Sequence, residues 1–473
     1  MSSSSNNVIF RLLVAVVLLA PLPLGSNRPW AWSLLAVLVG GLLAAWAVAV
    51  FRGRARATLP LSRMVLVALP FALAVGWAAV QTLGLVPPSL WHPLWDEAAL
   101  ALGRPSDGAI SVDPEMTRVA IMRLLTYGGI FWLAAQLGRE RSRAREGLVM
   151  VAVVGVLYAI YGLTVHFAGW ERILWLEKWA YPGDLTATFV NRNAYGAYAG
   201  LGVLCCVALF AHALRPPHRN EERRVYDLAE TVLVRALPFL AGAVVIGSAL
   251  LLSHSRGAFL CTGAALVGLM LSMVVGRIIR PRVALLLGGA VLGVGLAVFA
   301  LSGDETVRRL AETTTNVEEA RLDLYRLTIA AITDAPWTGH GFGAFLPAFR
   351  MYRDVSLSRP VTWDFAHDVH LEIVMDLGAP AAILLYTALA VVLGRCLLGL
   401  ARRRRDQIYP AVALAAALLF GAHGVLDFSV QMPAIAATFA LLLGIGYAQS
   451  WRSADIQTSP AETSSASVRD LAA

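Results

Sequence analysis

The stretch W-A-W-S-L-L-A-V-L-V-G-G-L-L-A-A-W-A-V-A-V (Trp30–Val50) runs without one charged residue. A bilayer core takes about 20 apolar residues per helix, so this run reads as a membrane span. The same reading applies to Val8–Leu24, Met64–Leu85, Val119–Leu137, Gly147–Phe167, Ala194–Leu214 and Leu237–Ser253. It continues at Ala258–Val275, Val283–Leu301, Leu371–Leu393, Ile408–Leu426 and Ala434–Tyr447. The expectation is an all-α polytopic membrane protein with about twelve transmembrane helices. Composition agrees. Of 473 residues, 58% are hydrophobic and 15% charged, against roughly 45–50% and 25% in soluble domains. That excludes a soluble enzyme, a disordered chain and a disulfide-stapled secreted fold. The first run reads as a retained span rather than a signal peptide, because Arg11 is its only early cation, Pro21 and Pro23 interrupt its end, and no A-x-A site follows.

Cytoplasmic loops collect Lys and Arg. Five basic clusters fall on one side of the twelve expected spans: Arg52, Arg54, Arg56 and Arg63; Arg139, Arg141, Arg143 and Arg145; Arg215, Arg219, Arg223, Arg224 and Arg235; Arg277, Arg280 and Arg282; and Arg402–Arg405. They absorb most of the +8 formal charge as a topology signal, leaving no call for a nucleic-acid partner. Both termini are then expected in the cytoplasm, with 1–452 as one transmembrane domain and 453–473 as a polar, disordered tail.

The opposite, extracytoplasmic side carries three long connections, Val86–Thr117, Ala168–Arg192 and the largest, 302–367, between helices 9 and 10. In the last, Asp304–Thr333 reads as an amphipathic helix and Thr338–Phe345 as a turn-rich segment near the membrane. The four cysteines, Cys205, Cys206, Cys261 and Cys396, lie in or at the edge of apolar spans with no C-x-x-C spacing. They read as small hydrophobes.

Ionisable groups at the edge of a span are costly and mark candidate sites. T-A-T-F-V-N-R-N-A-Y-G-A-Y (Thr186–Tyr198) places Arg192 between Asn191 and Asn193. S-H-S-R-G-A-F (Ser253–Phe259) holds Arg256 in a short turn. F-A-H-D-V-H-L-E-I-V-M-D-L-G (Phe365–Gly378) carries His367, His370, Glu372 and Asp376. A helix opening at His367 puts His370 on the His367 face, with Asp376 about half a turn round. A guanidinium suits phosphate, and a His near neutral pKa suits taking a proton from a hydroxyl. The residues therefore describe a membrane enzyme gripping a lipid-linked pyrophosphate with Arg and activating an acceptor hydroxyl with His. Neither H-E-x-x-H nor D-x-D occurs, so no metal and no cofactor is expected.

These stretches resemble the O-antigen ligase family, which includes polysaccharide polymerases and pilin O-oligosaccharyltransferases. The resemblance extends over about residues 180–450 through R-L-D-L-Y-R (Arg321–Arg326), D-A-P-W-T-G-H-G-F-G-A-F (Asp334–Phe345) and D-F-S-V-Q-M-P-A (Asp427–Ala434), in the family's order. It implies a metal-independent, inverting glycosyltransferase of the bacterial inner membrane, with its active site on the periplasmic face. The donor would be an undecaprenyl-pyrophosphate-linked glycan and the acceptor a hydroxyl of a glycan, lipid A core or protein. On matching positions Arg192, Arg256 and Arg321 would bind the pyrophosphate and glycan and His367 would be catalytic, with Asn191, Asn193, His370 and Asp376 in support. The sequence departs from the family with Tyr325 for Trp, Asp368 for Asn and Asp376 for Glu. The competing reading is a transporter or flippase, which would lead one to expect charges near span midpoints and repeated halves. Here the distinctive cations gather at one rim, and no repeat is visible.

Overall fold

A computed structural model describes residues 2–105, 107–214, 231–289, 293, 320–357 and 362–452. The described residues are mostly helical (73%) with almost no sheet. In chain order the helices are α1 (Ser2–Leu19), α2 (Pro29–Phe51), α3 (Leu61–Val80), α4 (Leu94–Leu102), α5 (Pro114–Leu137), α6 (Arg141–Phe167), α7 (Arg192–Ala213), α8 (Leu237–Leu252) and α9 (Arg256–Val275). They continue with α10 (281–289), α11 (320–334), α12 (Phe345–Phe349), α13 (Val369–Leu377), α14 (Ala379–Arg402), α15 (Ile408–His423) and α16 (Pro433–Gln449). A two-residue antiparallel ladder, Arg172–Ile173 against Leu176–Glu177, ties the connection after α6.

Among the described residues, eight helices are long and apolar enough to cross a membrane: α2, α3, α5, α6, α7, Leu233–Leu252, α9 and α14. Ser4–Leu19, α15 and α16 are apolar but shorter. The ninth expected span, Val283–Leu301, lies mostly outside the described residues, as do Arg215, Arg219, Arg223, Arg224, 304–319 and 453–473.

Helix α7 is the central element, with 89% of its apolar window buried, whereas only 17% of the α2 window is. Small residues let backbones close on α7: a Cβ on Gly200 would stand 2.3 Å from Thr262 Oγ1 of α9, and one on Gly202 2.9 Å from Ile246 of α8. Helix α16 packs on α5 in the same way, with Gly444 against Ala134. On α2, by contrast, Val37, Leu38, Val48 and Phe51 remain exposed, an outer face suited to hydrocarbon rather than water.

The expected span Leu371–Leu393 is corrected. Gly378, at φ 75° and ψ 158°, breaks it into the nine-residue α13, too short to cross, and α14, which opens with Pro380 in its first turn. A Cβ on Gly378 would meet the Trp337 carbonyl oxygen at 2.5 Å. The break therefore seats the turn 337–343 against the end of α13.

Candidate active site

Three helices begin at one place, and each is capped by a residue of the motifs. Asn191 caps α7, its Oδ1 accepting from the backbone N–H of Asn193 (2.7 Å) and Ala194 (3.1 Å). Ser255 caps α9, its Oγ accepting from Ala258 N–H at 3.4 Å. Asp368 caps α13, its Oδ1 accepting from His370 (2.9 Å) and Leu371 (3.0 Å). Asp and Asn are equally good caps, which gives Asp368 a physical reason to stand where the family often has Asn. Side chains knit the caps together: Ser255 Oγ donates to Asn193 Oδ1 at 2.8 Å, and Asn193 Nδ2 donates to Asp427 Oδ2 at 2.5 Å. Asp427 is 2% exposed and also accepts from Phe428 N–H at 2.7 Å. Exposed helix N-termini carry partial positive charge, a setting that favours an anion.

The cations around these termini differ in kind. Arg192 donates from Nη1 to Asp184 Oδ2 at 2.8 Å and lies 5.5 Å from the centre of the Tyr181 ring. Asp184 Oδ1 is 2.7 Å from His254 Nδ1. Burial pushes the Asp184 carboxyl up, but hydrogen bonds from His254 and Arg192 outweigh it and hold the group below the usual carboxylate range. Arg256 is exposed and Arg321 half-buried, and neither makes an ion pair or hydrogen bond among the described residues. The charge of Arg321 nevertheless bears on Tyr181, Tyr325 and His367, which places it beside the same cluster.

His367 does not open the helix, as its spacing to His370 led one to expect. Asp368 takes the cap, and His367 stays outside in the left-handed region at φ 53°. Its Nδ1 lies 4.0 Å from Asp427 Oδ2. Its ring stands edge-on to Phe428 (4.9 Å) and Trp363 (5.7 Å), and its carbonyl accepts from the Tyr325 hydroxyl at 3.1 Å. A Trp at 325 would likewise bring an N–H donor. Burial lowers the His367 pKa, Asp427 raises it and Arg321 lowers it again, for a net shift below the ordinary 6.5. The ring is therefore neutral near pH 7.

Two predicted supporting residues lie apart from this cluster. His370 Nδ1 is 2.6 Å from the Tyr386 hydroxyl and its Nε2 is 3.0 Å from the Gly421 carbonyl, so both ring nitrogens are engaged away from His367. Asp376 accepts from Gly343 N–H at 2.7 Å, anchoring the Gly339–Gly343 turn. Both line an apolar cavity of about 750 Å3 walled by Trp32, Phe71, Tyr127 and Phe342.

Sequence reasoning assigned no role to Asp184, His254 or Asp427. Asp427 stood inside a quoted motif, and its Asp-Phe pair was the available signal; Asp184, on a loop eight residues before Arg192, gave none. Among the described residues no three His, Cys, Asp or Glu are grouped to hold a metal ion.

A helical bundle with this many apolar spans, carrying a polar cluster where three helices begin, is a multi-pass membrane protein with a candidate anion site. Residues 241–386, which contain Arg256, Arg321 and His367, match the family model described as O-antigen ligase. No curated protein matches the chain.

Proposed function

We propose that the protein is a glycosyltransferase that moves an undecaprenyl-pyrophosphate-linked glycan onto an acceptor hydroxyl at the extracytoplasmic face of the bacterial inner membrane. The observation that carries this reading is the cluster in which Arg321 and Asp427 both bear on the neutral His367, while Arg192, Arg321 and Asp427 all bear on Tyr181.

In this mechanism the pyrophosphate oxygens accept hydrogen bonds from the Arg192 and Arg256 guanidinium groups, with Arg321 contributing charge from the side of His367. The acceptor hydroxyl gives its proton to His367 as its oxygen attacks the anomeric carbon. The bond from that carbon to the phosphate oxygen breaks, and the pyrophosphate leaves on the opposite face. Asp427, facing Nδ1, stabilises the imidazolium that forms. The arginines stabilise the charge that develops on the leaving group, which raises the rate rather than ground-state binding alone.

The test supplies the protein in lipid nanodiscs with a labelled undecaprenyl-pyrophosphate oligosaccharide and with lipid, glycan and peptide acceptors. Transfer without added metal, lost in His367→Ala, is expected. Transfer undiminished in His367→Ala removes the base assignment, and no transfer to any acceptor removes the reading.

A further inference from the structure

Glu372 is 5% exposed and takes no part in the chemistry above, yet both of its oxygens are engaged. Oε2 accepts from Ala366 N–H at 2.8 Å, and Oε1 accepts from Gln431 Nε2–H at 2.8 Å. Ala366 immediately precedes His367. Gln431 ends the short turn that begins after Asp427, and its carbonyl accepts from Arg123 Nη2 at 2.5 Å. Arg123 in turn lies over Trp32, 5.1 Å from the ring centre. One buried carboxylate thus bridges the segment that carries His367 and the short turn that follows Asp427. His367 also sits at φ 53°, a conformation that a non-glycine residue keeps only where its surroundings over-determine it. The Tyr325 hydroxyl holds its carbonyl on one side; Glu372 holds the adjoining N–H on the other.

We infer that Glu372 is a positioning residue, one that sets the separation of His367 from Asp427 by fastening Ala366 and Gln431 to a single side chain. The inference rests on the catalytic reading of His367. It concerns a residue inside the A-H-D to D-L-G stretch, at a position to which the family resemblance assigns no role.

The charged groups facing Glu372 are Arg123 from α5 and Asp368 and Asp376 of its own helix region. Burial pushes the Glu372 carboxyl up to about 7. An ionised carboxylate accepts from both donors; protonation turns one oxygen into a donor and slackens the bridge. Acidification through pH 7 is therefore expected to lower kcat before His367 itself takes a proton.

The test is Glu372→Gln, which keeps one acceptor oxygen for Ala366 N–H but turns an NH2 donor towards Gln431 Nε2. It is compared with wild type and with the exchange Glu372→Gln/Gln431→Glu, which returns a donor–acceptor pair between the two side chains. Glu372→Gln is expected to lower kcat about 10- to 100-fold, the cost of a misplacement on the scale of 1 Å. The donor KM should stay within about twofold, because no group that touches donor is altered. The limb near pH 7 should vanish, and the exchange should recover most of the activity. Gln431→Leu, which cuts the bridge from its other end without altering a charge, should lower kcat in the same way. A second readout needs no turnover: carbethoxylation of His367 by diethyl pyrocarbonate, followed by peptide mass spectrometry, should quicken in Glu372→Gln. Unchanged kcat, pH profile and carbethoxylation would overturn the inference. If wild type transfers no glycan while the carbethoxylation rate still responds, the catalytic reading fails and the positioning stands.

Discussion

The Arg192 guanidinium rests on the Asp184 carboxylate, Nη1 to Oδ2 at 2.8 Å. Arg192 is therefore held in place before any ligand arrives, whereas Arg256 and Arg321 make no such pair. Arg192→Ala should lower Tm as well as raise the donor KM, because it strips Asp184 of one of its two partners. Arg256→Ala should leave stability within about 0.5 kcal/mol of wild type and raise the donor KM about 10- to 100-fold, the loss of one charge-assisted contact. Arg192→Lys should not restore wild-type KM, since an ammonium lacks the planar fork. Thermal unfolding and steady-state kinetics on the same preparations check all three.

His367 and Asp427 should behave as a unit. His367→Ala is expected to lower kcat about 10²- to 10⁴-fold, and Asp427→Asn by less, since the amide keeps an acceptor for Asn193 but no charge for the imidazolium. Their double variant should fall far short of the product of the two losses. Because burial holds the His367 pKa below 6.5, the acidic limb left in Glu372→Gln should lie below pH 6.5. A limb at or above that value would contradict the burial described for the ring.

The pair His92–His340 gives a prediction about stability. His340 Nε2 donates to the Ala331 carbonyl at 2.8 Å, which leaves its Nδ1 to accept from His92 Nε2 at 2.9 Å. Both rings must be neutral for this chain to hold, since His340 Nδ1 accepts from His92 and His92 Nδ1 accepts from Leu94 N–H at 3.3 Å. Burial, with a smaller contribution from His340, lowers His92 to about 4, and burial lowers His340 below its usual value. A base with a depressed folded pKa contributes stability that is complete above its unfolded pKa of 6.5. That stability is lost as pH falls from 6.5 towards 4, with an upper bound of about 3 kcal/mol for His92. Tm should fall between pH 7 and 5, and the slope should flatten in a His92→Gln variant.

The glycines of the Gly339–Gly343 turn should not tolerate side chains. At Gly341, φ is 112° and a Cβ would lie 2.2 Å from Ser111 Oγ; at Gly339 it would lie 2.3 Å from the Asp376 carbonyl oxygen. Gly339→Ala should cost about 1–3 kcal/mol in backbone strain alone, and more as the end of α13 shifts. Gly40→Ala, where nothing lies within 4 Å, is the control and should be close to neutral. Thermal unfolding in detergent separates them.

Much of the fold was legible because apolar length alone selects for a bilayer, and the helices α2, α3, α5 and α6 fall where unbroken apolar runs stand. The break at Gly378 was not, since one glycine in an apolar run looks harmless until a carbonyl packs where its side chain would be. The candidate site was half legible. Arg192, Arg321 and His367 lie around Tyr181 and Asp427, but helical spacing wrongly put His370 beside His367. Asp368 before an apolar run was a cap signal that would have moved the helix start by two residues. Asp184, Asp427 and Glu372 act through partners that sequence spacing does not reveal.

The Asn193–Asp427 hydrogen bond joins residues 234 positions apart. During synthesis at about 5–20 residues per second, Asn193 waits roughly 10 to 50 s for its partner to leave the ribosome. Over that interval α7 is made and inserted, yet the cluster at its end cannot exist. Nascent chains stopped before residue 427 should therefore insert and remain inert, and completion of the site becomes one of the last events in the birth of the protein.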